Sequence, residues 1–113
     1  MNLKKKLFCF DLDGVICNNT YGKYSEAKPY KKAIKKINLL YDQGNIIIIF
    51  TSRYMGKFKN NRIKAINFGF EKTKNQLISW DLKFHELLLG KPEYDIIIDD
   101  KSIFFNKDWT TKI

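Results

Sequence analysis

The sequence predicts an α/β three-layer sandwich built on a mainly parallel sheet. Three observations predict it. Two runs, NIIIIF and DIIIDD, are apolar at consecutive rather than alternate positions, the mark of parallel strands covered on both faces. Segments with helical spacing alternate with the apolar runs. Polar groups stand where the runs end: Asp11 and Asp13 after the first, Thr51 and Ser52 after the second, Asp99 and Asp100 after the last. At 113 residues the chain makes a single domain, residues 1–113, with enough length for a real core.

The first apolar run, Leu7 to Phe10, predicts a buried strand over about residues 5–11. Gly14 supplies the break that lets the chain turn. A polar loop, NNTYGKYSEAK, follows. Pro29 opens a helix where its missing N–H costs nothing. Tyr30, Ile34, Ile37 and Tyr41 recur at helical spacing and form the expected buried stripe. Gly44 ends the helix as a C-terminal cap. NIIIIF is then a central strand, ending at Thr51, Ser52 and Arg53.

A helical segment is expected through about Phe68, with Ile63 and Ile66 on one side, and another helix over 71–81. KFHELLL reads as a short strand. Gly90 and Pro92 make GKPEYD a loop, and DIIIDD is the last strand. In the tail, Phe104, Phe105 and Trp109 are expected to pack on the sheet edge.

Composition narrows the class. A chain that is 44% hydrophobic and 15% aromatic is globular rather than disordered. No apolar stretch reaches the roughly 18 residues that would span a membrane. Lysines followed by apolar residues at the start superficially resemble a signal peptide, but Asp11 and Asp13 interrupt the apolar part after four residues. The expected location is therefore cytoplasmic. The net charge of +9 comes almost wholly from lysine, with arginine only at positions 53 and 62. No arginine-rich or aromatic-interleaved patch marks a nucleic-acid surface. Lysines 31, 32, 35 and 36 suit the wet face of a helix. Cys9 and Cys17 have no CxxC spacing and no His partner, and read as packing residues.

Parallel strands put all their carboxyl ends on one edge of the sheet, where such folds bind ligands. Asp11 and Asp13, Thr51 and Ser52, and Asp99 and Asp100 should therefore converge, and Lys91 could reach the same edge. Two carboxylates one residue apart repel, and a hard divalent cation such as Mg²⁺ offsets them. One of them could then serve as a nucleophile in aspartyl-phosphate chemistry.

The order and spacing of these pieces resemble the haloacid dehalogenase (HAD) superfamily of phosphotransferases over nearly the whole chain. FDLDG is similar to its first motif, FTS to its second, GKP to its third and IIIDD to its fourth. The resemblance implies a Rossmann-like, HAD-like sheet. It implies Asp11 as the nucleophile that takes the phosphoryl group. Asp13 would be the general acid, then the base that activates water. Thr51 and Lys91 would hold phosphate oxygens. The Asp11 carboxylate, the Asp13 carbonyl and an acidic residue of the last motif would hold Mg²⁺, with Asp100 the expected ligand and Asp99 beside it. An Asp rather than a Thr or Val at position 13 implies a phosphatase.

Superfamily members differ in the cap domains that shield the site. Only about 16 residues separate Asp13 from Pro29, and only helix-length connections follow Thr51, so no cap domain is expected. FDLDGVIC, the YDQGN turn, the TSRYMG continuation and GKPEYDIIIDDKSI resemble small bacterial capsule or surface-polysaccharide biosynthesis phosphatases. That implies a phosphorylated sugar, polyol or amino-alcohol as the small-metabolite substrate. An open site of this kind could also be shielded by a second copy of the chain, making a homo-oligomer. Tyr21, Tyr24 and Lys23 could contact the leaving group, or be ordinary loop residues. Arg53 could clamp an anionic substrate or pair with a neighbouring carboxylate. Ser52 completes the candidate substrate contacts. His85 reads as structural. Two other functions fit the same residues: a phosphatase acting on a nucleic-acid end or phosphoprotein, and a catalytically silent phosphate-binding module.

Overall fold

The protein is described by a computed structural model over residues 5–113. Three parallel strands form one sheet in the order β1 (Leu7–Phe10), β2 (Ile46–Thr51), β3 (Glu86–Leu89). Helix α1 (Lys31–Asp42) connects β1 to β2, and α2 (Arg62–Ser79) connects β2 to β3. Register is regular: Leu7 pairs with Ile46 and Phe10 with Ile49, while Ile48 pairs with Glu86 and Thr51 with Leu89.

Alternation along each strand decides what is buried. Phe10, Ile47, Ile49, Leu87 and Leu89 point into one core, joined there by Ala33, Ile37 and Leu40 of α1 and Leu77 of α2. Both helices therefore cover the same face. Connections that step twice in one direction across a sheet, with one handedness, give that result. On the other face Leu7, Ile46 and Leu88 are exposed. The described elements thus make two layers, and β2 is covered fully on one face rather than on both.

Local chemistry explains the boundaries. The N–H of Gly44 donates to Tyr41 O and that of Asn45 to Leu40 O, with Gly44 at φ +94°. This pair of bonds closes the carboxyl end of α1 and needs the left-handed backbone that glycine adopts freely. Asn45 then accepts the Lys6 N–H at 3.0 Å, tying the end of α1 to the start of β1. Asn61 caps α2 by accepting the Lys64 N–H at 3.1 Å.

Several expectations are corrected. The two helices expected after β2 are one, because Gly69 does not break α2. A Cβ on Gly69 would stand 2.0 Å from a Tyr54 ring carbon, so the glycine is there to admit the ring. The α1 stripe is Ala33, Ile37 and Leu40 rather than one led by Tyr30, which is exposed. Ile63 is exposed too. Residues 95–98 form no strand. Ile96, Ile97 and Ile98 are 81, 55 and 95% exposed. The short loop after β3 holds no helix to carry the chain back across the sheet, and a parallel neighbour for β1 needs such a crossover. Cys9 is exposed on the uncovered face, whereas Cys17 is buried. Of the three tail aromatics Trp109 packs, 5.4 Å from the Phe10 ring, while Phe104 and Phe105 stay exposed.

Among the described residues no helix is long and apolar enough to cross a membrane. Core burial predicts a large cost for truncation at the centre of the sheet. Ile49→Ala, at a fully buried site, should lower unfolding stability by about 2–5 kcal/mol, read by urea denaturation.

Candidate active site

The carboxyl end of β1 turns sharply. The N–H of Ile16 donates to Leu12 O at 2.8 Å, and that of Gly14 to Cys17 O at 2.8 Å, with Gly14 at φ +88°. Leu12 is fully buried and anchors the turn. Asp11 and Asp13 flank it and face the cleft. The loop that follows is closed at its base: the N–H of Asn18 donates to Lys28 O, and that of Lys28 to the Asn18 side chain. It presents Asn19, Thr20, Tyr21 and Tyr24 to the same cleft.

Asp11 is the more available carboxylate. One oxygen accepts the Leu12 N–H at 2.8 Å, and the other lies 3.7 Å from Lys91 Nζ. Burial pushes its pKa above the ordinary carboxylate value, with Lys91 pulling the other way. Lys91 reaches this position because its N–H donates to Thr51 O at 3.2 Å. That bond extends the β2–β3 pairing by one step. Thr51 is buried, and its hydroxyl oxygen accepts the Arg53 N–H at 3.1 Å. The hydroxyl proton stays free to donate.

Asp13 is held differently. Arg53 Nε donates to one of its oxygens and a terminal guanidinium nitrogen to the other, each at 2.9 Å. Arg53 is 2% exposed. Its other terminal nitrogen donates to Gln76 Oε1 at 2.6 Å, and Gln76 donates in turn to Tyr24 O at 2.7 Å. The guanidinium lies 4.8 Å from the Tyr24 ring centroid. Burial would lower the guanidinium pKa, but the bonds and charge of Asp13 outweigh it and hold Arg53 firmly cationic. Of the two roles open to Arg53 from sequence, the ion pair with Asp13 is formed in the structure, and Arg53 also lines the cleft. Cys17 lies against this pair, and its thiol is pushed up to about 12, first by burial and then by the Asp13 charge. It is a packing residue.

The structure thus gathers Asp11, Asp13, Thr51, Ser52, Arg53 and Lys91 at one sheet edge. Tyr21 and Tyr24 line a cleft of about 280 Å³ there, and Lys23 does not. Asp99 and Asp100 are exposed on the chain that leaves the sheet, and Asp99 accepts the Lys101 N–H in a local turn. His85 is structural: its Nδ1 accepts the Ile47 N–H at 3.0 Å and its ring stacks on Tyr41.

Five lining residues escaped the sequence reading: Asn19, Thr20, Gly22, Glu93 and Tyr94. The Thr20 hydroxyl is buried and has no hydrogen-bond partner among the described residues. Only the proximity of NNT to the DLDG turn could have signalled it.

A hard cation wants several oxygen ligands. Asp11 keeps one oxygen free of hydrogen bonds, both Asp13 oxygens are engaged by Arg53, and Asp99 and Asp100 are exposed. Among the described residues no group of three or more acidic, His or Cys side chains is set to hold a metal.

No family model matches the chain. No curated protein matches it. Its fold is similar to that of a crystallised MCSG target from Vibrio cholerae, with TM-score 0.78 and 24% identity over 96% of this chain and 95% of that one. At this identity the likeness speaks for the α/β fold alone.

Two outcomes test the site. Arg53→Met leaves Asp13 without its buried partner and should cost about 3–5 kcal/mol of stability, measured by denaturant unfolding. Asp11 holds its proton more tightly folded than unfolded, so its ionisation works against the fold. That cost is absent below its ordinary value of 3.8 and complete above the raised folded value. Asp11→Asn should therefore melt higher than wild type at neutral pH, with the gap closing as pH falls toward 3.8.

Proposed function

We propose that the protein is a capless HAD-type phosphatase. It would hydrolyse the phosphate monoester of a small sugar, polyol or amino-alcohol through an aspartyl-phosphate intermediate, in capsule or surface-polysaccharide biosynthesis. The observation that carries the reading is Asp11: a carboxylate at a strand exit, open to the cleft, facing Lys91 and beside Asp13.

In the first step an Asp11 oxygen attacks phosphorus from the side opposite the ester oxygen. The new O–P bond forms as the P–O bond to the leaving group breaks, and the leaving alkoxide takes a proton from Asp13. In the second step Asp13 takes a proton from water as that water attacks phosphorus. The Asp11 O–P bond breaks, releasing inorganic phosphate and restoring the carboxylate. Lys91 and the Thr51 hydroxyl neutralise and hold the phosphoryl oxygens, and such preorganised charge is usually the largest catalytic contribution. Arg53 sets the position of Asp13, and one of its two bonds must yield for Asp13 to carry a proton.

Mg²⁺ belongs to the proposal as a cofactor that, when bound, neutralises charge between Asp11 and the phosphate. The chain would hold it through the Asp11 carboxylate, the Asp13 carbonyl and Asp100 or Asp99, so residues 95–100 would have to draw in to the sheet. Three layers likewise require cover for Leu7, Ile46 and Leu88, and a second copy of the chain could supply it. In this reading the protein works in the cytoplasm.

The full engagement of Asp13 by Arg53 favours a second reading, the silent phosphate-binding module. One assay separates them: phosphate release from sugar, polyol and nucleotide monophosphates. Metal-dependent turnover, abolished in Asp11→Asn and by a chelator, is the expected result. Because Asp11 must be ionised to attack, the acid limb of kcat/KM should lie above the usual carboxylate range. Tight phosphate-ester binding with no turnover in Mg²⁺ would support the silent module instead.

A further inference from the structure

The phosphate cleft does not end at the carboxylates. It runs into a larger groove of about 600 Å³ that shares Tyr21, Gly22, Tyr24, Ser52 and Glu93 with it and continues past Tyr54, Lys57 and Phe68. A phosphate alone needs no such room, whereas this volume is in the range of small-molecule sites. We infer, resting on the phosphatase reading above, that this groove seats the leaving group of the ester. We infer further that the leaving group is an uncharged, hydroxyl-rich ring or chain of the sugar class, rather than an ammonium alcohol or a nucleic-acid end.

The walls are fixed rather than incidental. Tyr54 sits at φ +69°, a conformation non-glycine residues rarely hold without a reason. Its ring lies on the bare backbone of Gly69 and meets Tyr24 and Phe68 edge to face at 4.9 and 5.1 Å. Glu93 is carried over Gly56, where a Cβ would stand 2.6 Å from its carboxylate. Its N–H donates to the Asn60 side chain at 3.1 Å.

Charge chooses the occupant. The groove is lined by one cation, Lys57, and one anion, Glu93. An ammonium ligand would want free aromatic faces, but those of Tyr24 and Phe68 are taken. Arg53 lies over Tyr24, and Lys57 and Lys72 lie over Phe68. A polynucleotide would want a run of cations along its backbone, and Glu93 stands in both parts of the cleft instead. A neutral polyol meets no repulsion. Its hydroxyls can donate to Glu93 and accept from Lys57 and Ser52.

The test has a kinetic arm and a binding arm. The kinetic arm measures kcat/KM for a hexose phosphate, phosphoethanolamine, a short oligonucleotide 3′-phosphate and p-nitrophenyl phosphate, with wild type, Glu93→Ala and Lys57→Ala. The binding arm titrates Asp11→Asn, with and without Glu93→Ala, with hexose phosphate and with inorganic phosphate by calorimetry. We expect wild type to prefer the hexose phosphate over the ammonium ester and the oligonucleotide by about tenfold or more. Each groove variant should lower the ratio of hexose phosphate to p-nitrophenyl phosphate turnover by about tenfold, mainly through KM. In the binding arm, hexose phosphate should bind at least about tenfold tighter than phosphate, an advantage that Glu93→Ala removes. Preference for the ammonium ester or the oligonucleotide, or an unchanged ratio in both variants, overturns the inference. No turnover of any ester sinks the phosphatase reading alone, and the calorimetric comparison then decides for or against the groove.

Discussion

The arrangement of this site depends on one ion pair that scarcely meets water. Arg53 is buried and donates to both oxygens of Asp13. A guanidinium without its partner at this depth would carry a desolvation cost of several kcal/mol. The pair therefore cannot be separated cheaply, and whatever is attached to either end is held in place. Asp13 belongs to the turn after β1, Arg53 to the exit of β2. Through Gln76 the same guanidinium reaches α2, and through Gln76 and the Tyr24 ring it reaches the loop over the cleft. One side chain locks four segments that are distant in sequence.

The lock also explains a division of labour between two carboxylates one residue apart. Asp11 and Asp13 have the same chemistry in isolation. Asp13 has a fixed geometry and no free oxygen. Asp11 keeps one oxygen directed at Lys91, 3.7 Å away. A nucleophile needs an accessible lone pair, while a proton carrier needs a defined position. The environments match those two requirements in the order that the proposed chemistry assigns them. The cost of the arrangement falls on Asp13, which must share its oxygens with Arg53 to move a proton.

Much of this was legible in the sequence. Leu7–Phe10 and the isoleucine run from Ile46 declared their strands because short apolar runs bounded by turn residues favour strands, although alternate positions are the ones fully buried. Gly44 declared the end of α1 because few residues accept its backbone angles. Asp11, Asp13, Thr51 and Lys91 were found because strand exits share one edge. Other features were hidden for physical reasons. Two helices were expected where α2 is one, and only the Tyr54 ring packed on Gly69 shows why a glycine stands inside it. The Asp13–Arg53 pairing joins residues 40 apart, and no local pattern encodes which acid an arginine will meet. Glu93 and Tyr94 belong to a loop with no periodicity to read.

The segment DIIIDD is the instructive disagreement. Its composition demands burial, yet its isoleucines and its two aspartates are exposed. The conflict is topological. β1, β2 and β3 step across the sheet in one direction, so the chain leaves β3 at the edge opposite β1. Returning to pair with β1 requires a crossover that Gly90–Asp95 is too short to provide as a helix. The same shortage leaves the second face of the sheet without a helical layer, with Leu7, Ile46 and Leu88 exposed. The exposed isoleucines and the open face are thus one consequence of one short connection. Anything that pairs residues 95–100 with β1 would answer both at once. It would bury apolar surface, at roughly 25 cal/mol for each Å² removed from water, and it would carry two carboxylates toward Asp11. Metal binding and completion of the sheet would then be a single coupled equilibrium rather than two independent events.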